Sequence, residues 1–170
     1  MRDEGYAAVS TRRVAKEAGL KAPLVHYYFP TTDDLFLAVF RQAADKELDK
    51  LTEAVKAKPT LESIWETYCN PDKTTLAIEF MALANHRKAI QEEIKAMTER
   101  ERQRRAEILV SLIDMDQIKP DNCSAAGINL LLIAVARTLV MESGLGISLG
   151  HKEAESFVEW WLQQLKLSSP

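Results

Sequence analysis

Apolar residues recur at three- and four-residue intervals along almost the whole chain, a spacing that predicts helices and leaves little room for strands. Leu35, Val39, Ala43 and Leu48 set out a long helix reaching toward Lys58. Pro59-Thr60 breaks it and restarts a short one through Ile64, Trp65 and Tyr68. After a turn at Asn70-Pro71-Asp72, the residues Leu76, Phe80, Leu83 and Ala84 mark the next helix. Ile90, Ile94, Met97, Ile108, Leu109 and Leu112 trace a long helix beyond His86. A turn from Pro120 to Ser124, with Ser124 as cap, leads into a largely apolar helix from Ala126 to Ser143. Gly144, Gly146 and Gly150 punctuate a loop, and Glu153 to Leu167 forms the last helix. The expected fold class is all-α.

The N-terminal segment carries the sharpest local signals. Ser10 is suited to an N-cap, and Val14, Ala15 and Ala18 follow it at helical spacing. Gly19 stands where a helix end turns left-handed, which lets Leu20 turn into the core. Pro23 fits the first turn of a second helix, where its missing N–H costs nothing. Phe29-Pro30 stops that helix, and Thr31 to Asp34 forms a short-acid capping box for the next. Two short helices about a Gly turn are the helix-turn-helix pattern, whose second helix enters the major groove of duplex DNA.

On these residues the segment Gly5 to Leu35 resembles the DNA-binding domain of TetR-family transcriptional regulators. Gly5-Tyr6, Ser10, Val14-Ala15, Ala18-Gly19-Leu20, Tyr27, Phe29 and Leu35 fall at the recurrent positions of that family. The remainder is similar in length and helical character only. The resemblance implies a helix-turn-helix DNA-binding domain over residues 1–48 and a helical ligand-binding and dimerisation domain over residues 49–170. It implies DNA contacts from Ser10, Thr11, Arg12, Lys21, Ala22, Pro23, Leu24, His26, Tyr27 and Thr32, with Lys21 and Tyr27 as phosphate ligands. It further implies a homodimeric repressor on a palindromic double-stranded DNA operator, released by a small-molecule effector.

Two departures stand out. The helix that the family places before Gly5 is reduced to Met1-Arg-Asp-Glu, so the full protein is expected to extend upstream. Thr32, followed by Asp33 and Asp34, stands where a Lys phosphate ligand is usual. The second departure keeps open an alternative: a helical dimeric adaptor or ligand-binding protein with weakened or lost DNA binding.

Charge fits a DNA reader by segment rather than overall. Residues 1–30 carry five Lys/Arg against three acids, a surplus of two. With −3 for the whole chain, the remainder stands at −5. A basic head on an acidic body keeps the body off the phosphates. No apolar run reaches the ~20 residues of a membrane span, and no signal peptide is evident, so a cytoplasmic location without membrane contact is expected. Cys69 and Cys123 are isolated, with no metal-type spacing and no expected disulfide. His26, His86 and His151 lie far apart, and no phosphate loop or nucleophile elbow is present. No catalytic residue, metal site or cofactor is therefore expected.

The C-terminal half suggests two further surfaces. The helix after Ser124 is apolar around most of its circumference, and the Trp160-Trp161 pair points in two directions about 100° apart. Burial between two copies would satisfy both, as the family resemblance also implies. The expected interface residues are Ala126, Asn129, Leu130, Ile133, Arg137, Val140, Phe157, Trp160, Trp161 and Leu165. Candidate walls of an effector pocket, again by resemblance, are Phe40, Trp65, Tyr68, Phe80, Met81, His86, Met97 and Leu112; plain core filling is the competing reading. Arg87 could meet an anionic group beside His86. The run Glu99 to Glu107, with Arg100, Arg102, Arg104 and Arg105, reads as an exposed charged face.

Overall fold

The structure, a computed structural model, describes residues 5–113, 115 and 123–167. Met1 to Glu4 and residues 120–122 of the expected Pro120 turn lie outside the described residues. Among the described residues there are eight α-helices and no strand. They are α1 (Thr11–Glu17), α2 (Ala22–Tyr28), α3 (Thr32–Ala57), α4 (Leu61–Tyr68), α5 (Pro71–His86), α6 (Lys88–Val110), α7 (Ala125–Gly144) and α8 (His151–Leu167), with a 3₁₀ turn at Tyr6–Ala8 before them. The all-α expectation is met.

Side-chain caps set several of these boundaries. Ser10, Thr60 and Ser124 each accept a hydrogen bond from the backbone N–H three residues on, at Arg13, Ser63 and Gly127. Each satisfies one donor that a helix start leaves unpaired. Pro71 opens α5, where a missing N–H is no loss. At the end of α7, Gly146 adopts φ +78° while the N–H groups of Gly146 and Ile147 bond back to Ser143 and Glu142.

The chain forms two compact units, residues 1–46 with 75–98 and residues 47–74 with 99–170. In the first, Phe36 of α3 is buried with Phe80, Leu83 and Ala84 of α5 and Ile90 and Ile94 of α6. The Phe40 and Phe80 rings meet edge to face at 4.9 Å. The stretch 75–98 thus joins the N-terminal segment because it supplies the apolar surface that Phe36 needs. In the second unit, Leu51, Leu61, Ile64 and Tyr68 are buried with Leu109 of α6, Ile128 and Leu132 of α7, and Val158 and Leu162 of α8.

Contrary to the expectation that no apolar run reaches spanning length, α7 is, at 20 residues, long and apolar enough to cross a membrane. Its packing accounts for that composition in another way. Ile128, Leu132, Ala136 and Leu139 are buried, and the polar Asn129 is buried among them, as α7 packs on α4 and α8. Cys69 and Cys123 are unbridged. Burial first, and the nearby Glu155 carboxylate second, push the Cys69 thiol up to about 11.

Leu132 is 1% exposed at the centre of the second core. Leu132→Ala should lower the unfolding free energy by about 2–5 kcal/mol, from lost transfer energy plus a cavity. Urea denaturation should show a lower midpoint with an unchanged slope.

Candidate nucleic-acid interface

Helix α1 has seven residues and buries Ala15, while Val14 is partly covered. Its end is fixed by geometry as well as sequence. Gly19 sits at φ +66°, the Leu20 N–H bonds to the Ala15 carbonyl at 2.8 Å, and the Gly19 N–H bonds to the Lys16 carbonyl at 3.2 Å. This paired closure satisfies two of the carbonyls that a helix end leaves free. Lys21 then caps α2 with extended backbone, and Pro23 lies in its first turn. Val25 is the buried residue of α2. Leu20, expected to turn into the core, remains 49% exposed. The described residues of this segment bring too little apolar surface to cover it.

The residues expected to meet DNA lie largely on the outside. Ser10, Arg12, Lys21, Ala22, Pro23, Leu24, His26 and Tyr27 are exposed, and Thr11 and Thr32 are partly covered. Tyr27 is 79% exposed and meets Tyr28 edge to face at 5.2 Å. An aromatic ring held that far into solvent buries little, so packing does not account for it. Arg13 is tied down, donating to the Ala8 carbonyl at 3.4 Å.

The acids that follow are also occupied. Thr31 donates to Asp34 Oδ2 through its N–H at 2.9 Å and its hydroxyl at 2.7 Å, and the Asp34 N–H donates back to Thr31 Oγ1 at 3.1 Å. The expected capping box is closed. These hydrogen bonds hold the Asp34 carboxyl below the usual carboxylate range, the Thr31 hydroxyl contributing most. Asp33 pairs with Arg87, whose guanidinium also stands 6.0 Å from the Phe36 ring centre. Arg87, expected as a possible anion contact, is thus spent on α3. On the other side, the Tyr6 N–H donates to Glu79 Oε2 of α5 at 2.8 Å.

Residues 1–39 match the family model of the bacterial regulatory proteins of the TetR family. Over this N-terminal segment the chain is similar to TetR-family regulators. Solved structures share the whole architecture. A protein from Rhodococcus sp. assigned to this family superposes with a TM-score of 0.74 at 15% identity, covering 97% of this chain and 92% of its own. A TetR regulator from Haloarcula marismortui gives 0.66 at 17%, with coverage of 96% and 90%. A transcriptional regulator from Saccharomonospora viridis, solved with choline, gives 0.71 at 17%, with coverage of 93% and 88%. At these identities the likeness speaks for the fold. None of the curated proteins matches the chain.

The other expected surfaces separate by burial. Of the pocket candidates, Phe40 and Phe80 belong to the first core, and Trp65, Tyr68 and Leu112 to the second. Met97 is buried, whereas Met81 and His86 are exposed. Of the interface candidates, Ala126, Leu130, Phe157 and Trp160 are exposed, and the Phe157 and Trp160 rings lie 5.5 Å apart. Val140 and Arg137 are partly covered. Ile133 and Trp161 pack against the core of their own unit, and Leu165 and Asn129 are buried in it. Within its own unit, Asn129 accepts from the Tyr68 hydroxyl through its Oδ1.

Sequence reasoning missed the polar centre of that core. Arg105, expected on an exposed face, is buried at 8% exposure. Its Nη2 pairs with Glu101 Oε2 at 3.0 Å, and its guanidinium lies 5.7 Å from the Tyr68 ring centre. A signal for this existed: the apolar row Ile94, Met97 and Leu109 passes through positions 101 and 105 at helical spacing. Burial pushes the Tyr68 phenol up to about 12, although the charge of Arg105 and its hydrogen bond pull the other way.

The Asp34 cap has a pH signature. A lowered carboxyl pKa stabilises the fold above the unfolded value of about 3.9, and the contribution is lost as pH falls through the folded value. Asp34→Ala should thus be less stable than the parent at pH 7, with the gap narrowing below about pH 4. Denaturation midpoints from pH 7 to 3 measure it; a constant gap would show that the cap does not depend on charge.

Proposed function

We propose that the protein is a homodimeric, cytoplasmic repressor that leaves a palindromic operator when a small-molecule effector binds its C-terminal helices. The observation that carries this reading is the exposure of Ser10, Arg12, Lys21 and Tyr27 within a segment that matches the TetR-family model. An ammonium at the start of α2, a phenol near its end and a guanidinium at the start of α1 suit phosphate oxygens, while Ala22, Pro23, Leu24 and His26 would meet the groove. Thr32 would add a hydroxyl where a cation is usual, so backbone affinity would rest on fewer charges. In this reading residues 1–48 read DNA and residues 49–170 dimerise and bind the effector, with 75–98 supporting the reading head.

Dimerisation is supported by apolar surface that one chain leaves open. Leu130 and Leu131 of α7 and Phe157 and Trp160 of α8 are all exposed, Phe157 by 60% and Trp160 by 53%. The Phe157 and Trp160 rings lie 5.5 Å apart, and exposed apolar patches mark interaction surfaces. An isologous pair would present two α2 helices to half-sites about 34–36 Å apart, or a multiple of that. The effector is supported by the choline found in the Saccharomonospora viridis relative, which shares this fold. Ligand and operator would compete through one equilibrium, each weakening the other by the same factor.

Two measurements test the reading. A gel-shift salt titration should show affinity falling steeply with salt, and Lys21→Ala should shallow the slope by roughly 0.9 for each phosphate that the variant leaves unneutralised. A wild type without salt-dependent duplex binding would favour the adaptor. Trp160→Glu should move the dimer toward monomer in light scattering; an unchanged mass would remove α8 from the interface.

A further inference from the structure

The second unit holds two buried donors, one on α6 and one on α7, that no described group satisfies. Asn129 is 2% exposed, and its Oδ1 accepts from the Tyr68 hydroxyl, so its Nδ2 group is the end left over. That Nδ2 is buried with no hydrogen-bond partner, and so is Nε of Arg105. Both donors stand on the group built around the Tyr68 ring, Asn129 through the hydroxyl and Arg105 over the face. Buried donors are normally paired, and two orphans on one aromatic ring point to an acceptor that comes from elsewhere.

The charge is unbalanced in the same sense. Arg137 lies eight residues beyond Asn129 on α7, a little over two turns along and about 80° round the helix. Burial, then the like charges of Arg105 and Arg102, push its guanidinium down. Among the described residues no carboxylate pairs with Arg137, and Glu101 is engaged by Arg105. Arg105 is thus paired with Glu101 while Arg137 has no described carboxylate partner, in a unit whose apolar cluster includes Leu109, Ile128 and Leu132. Such a field attracts an oxyanion and repels a cation.

We infer that Arg105, Asn129 and Arg137 form a receptor for the oxyanion of a small organic acid, a carboxylate or phosphate on an apolar body. Arg105 Nε and Asn129 Nδ2 donate to the oxygens, Arg137 balances the charge, and the surrounding Leu and Ile side chains take the apolar body. This deepens the effector reading and rests on it only for the use made of binding, since the site itself is tested without DNA. It also sets this chain apart from the Saccharomonospora viridis relative, whose choline is a cation.

The probes are octanoate, inorganic phosphate and choline, each at matched ionic strength, with thermal melting and calorimetric titration of the full chain. Saturating octanoate should raise the melting temperature by about 5 °C or more, and choline should leave it unchanged. Arg137→Met, a change at a partly covered position, should fold and lose octanoate affinity at least about tenfold, the scale of one charge-assisted hydrogen bond. Asn129→Asp should weaken it as well, by placing an acid where a donor stood. If inorganic phosphate stabilises as much as octanoate, and Arg137→Met removes the effect, the receptor stands with free phosphate as its ligand. Stabilisation by choline alone, no response to either anion, or full octanoate affinity in Arg137→Met overturns the proposal. Anion binding without operator release would leave the receptor standing and sink the effector reading; operator release by choline alone would do the reverse.

Discussion

The burial of Phe36 against α5 and α6 is the contact on which the DNA-reading end depends. Helices α1 and α2 have seven residues each and bury one residue apiece, Ala15 and Val25. Helices that short do not persist alone in water, where about 12–15 residues are needed even for favourable sequences. Caps at Ser10, Gly19 and Thr31 define where they begin and end, but caps contribute only on the order of 1 kcal/mol each. The larger apolar surface lies one element further on, where Leu35 and Phe36 are buried, with Phe80, Leu83, Ile90 and Ile94 of α5 and α6 packed on Phe36. The Tyr6–Glu79 hydrogen bond and the Arg87–Asp33 pair fasten the two ends of the same arrangement.

What could be read from the sequence was what a few neighbouring residues decide. The Ser10 and Ser124 caps, the left-handed Gly19 and the Thr31–Asp34 box each act within one turn, and each is present. Helix order and type followed from the apolar period. Burial was harder, because it depends on partners far along the chain. Leu20 was expected inside and is half exposed, whereas Arg105 was expected outside and is buried. Asn129 was placed on a dimer face, yet its partner is Tyr68, 61 positions away. A charged run reads as a solvated face until one knows which side of the helix is covered. The exposed set around α2 was legible for the opposite reason: Lys21, His26 and Tyr27 have no core to enter.

The polar centre of the second unit illustrates a different balance. A buried guanidinium costs several kcal/mol in lost hydration, and one carboxylate with one aromatic face offsets only part of it. Tyr68 keeps its proton through the whole physiological range, so it remains a donor and fixes which way the Asn129 amide points. Replacing such a buried pair by well-packed apolar side chains is often neutral or stabilising.

The interleaving of the two units has a practical meaning for anyone who would recombine such regulators. The reading head is not a portable cassette. A cut after residue 48 would leave behind Phe80, Leu83, Ile90 and Ile94, together with the carboxylate that holds Tyr6. A chimera that transplants this N-terminal segment between proteins of this fold must carry α5 and the first turns of α6 with it, or redesign the surface on which Phe36 rests.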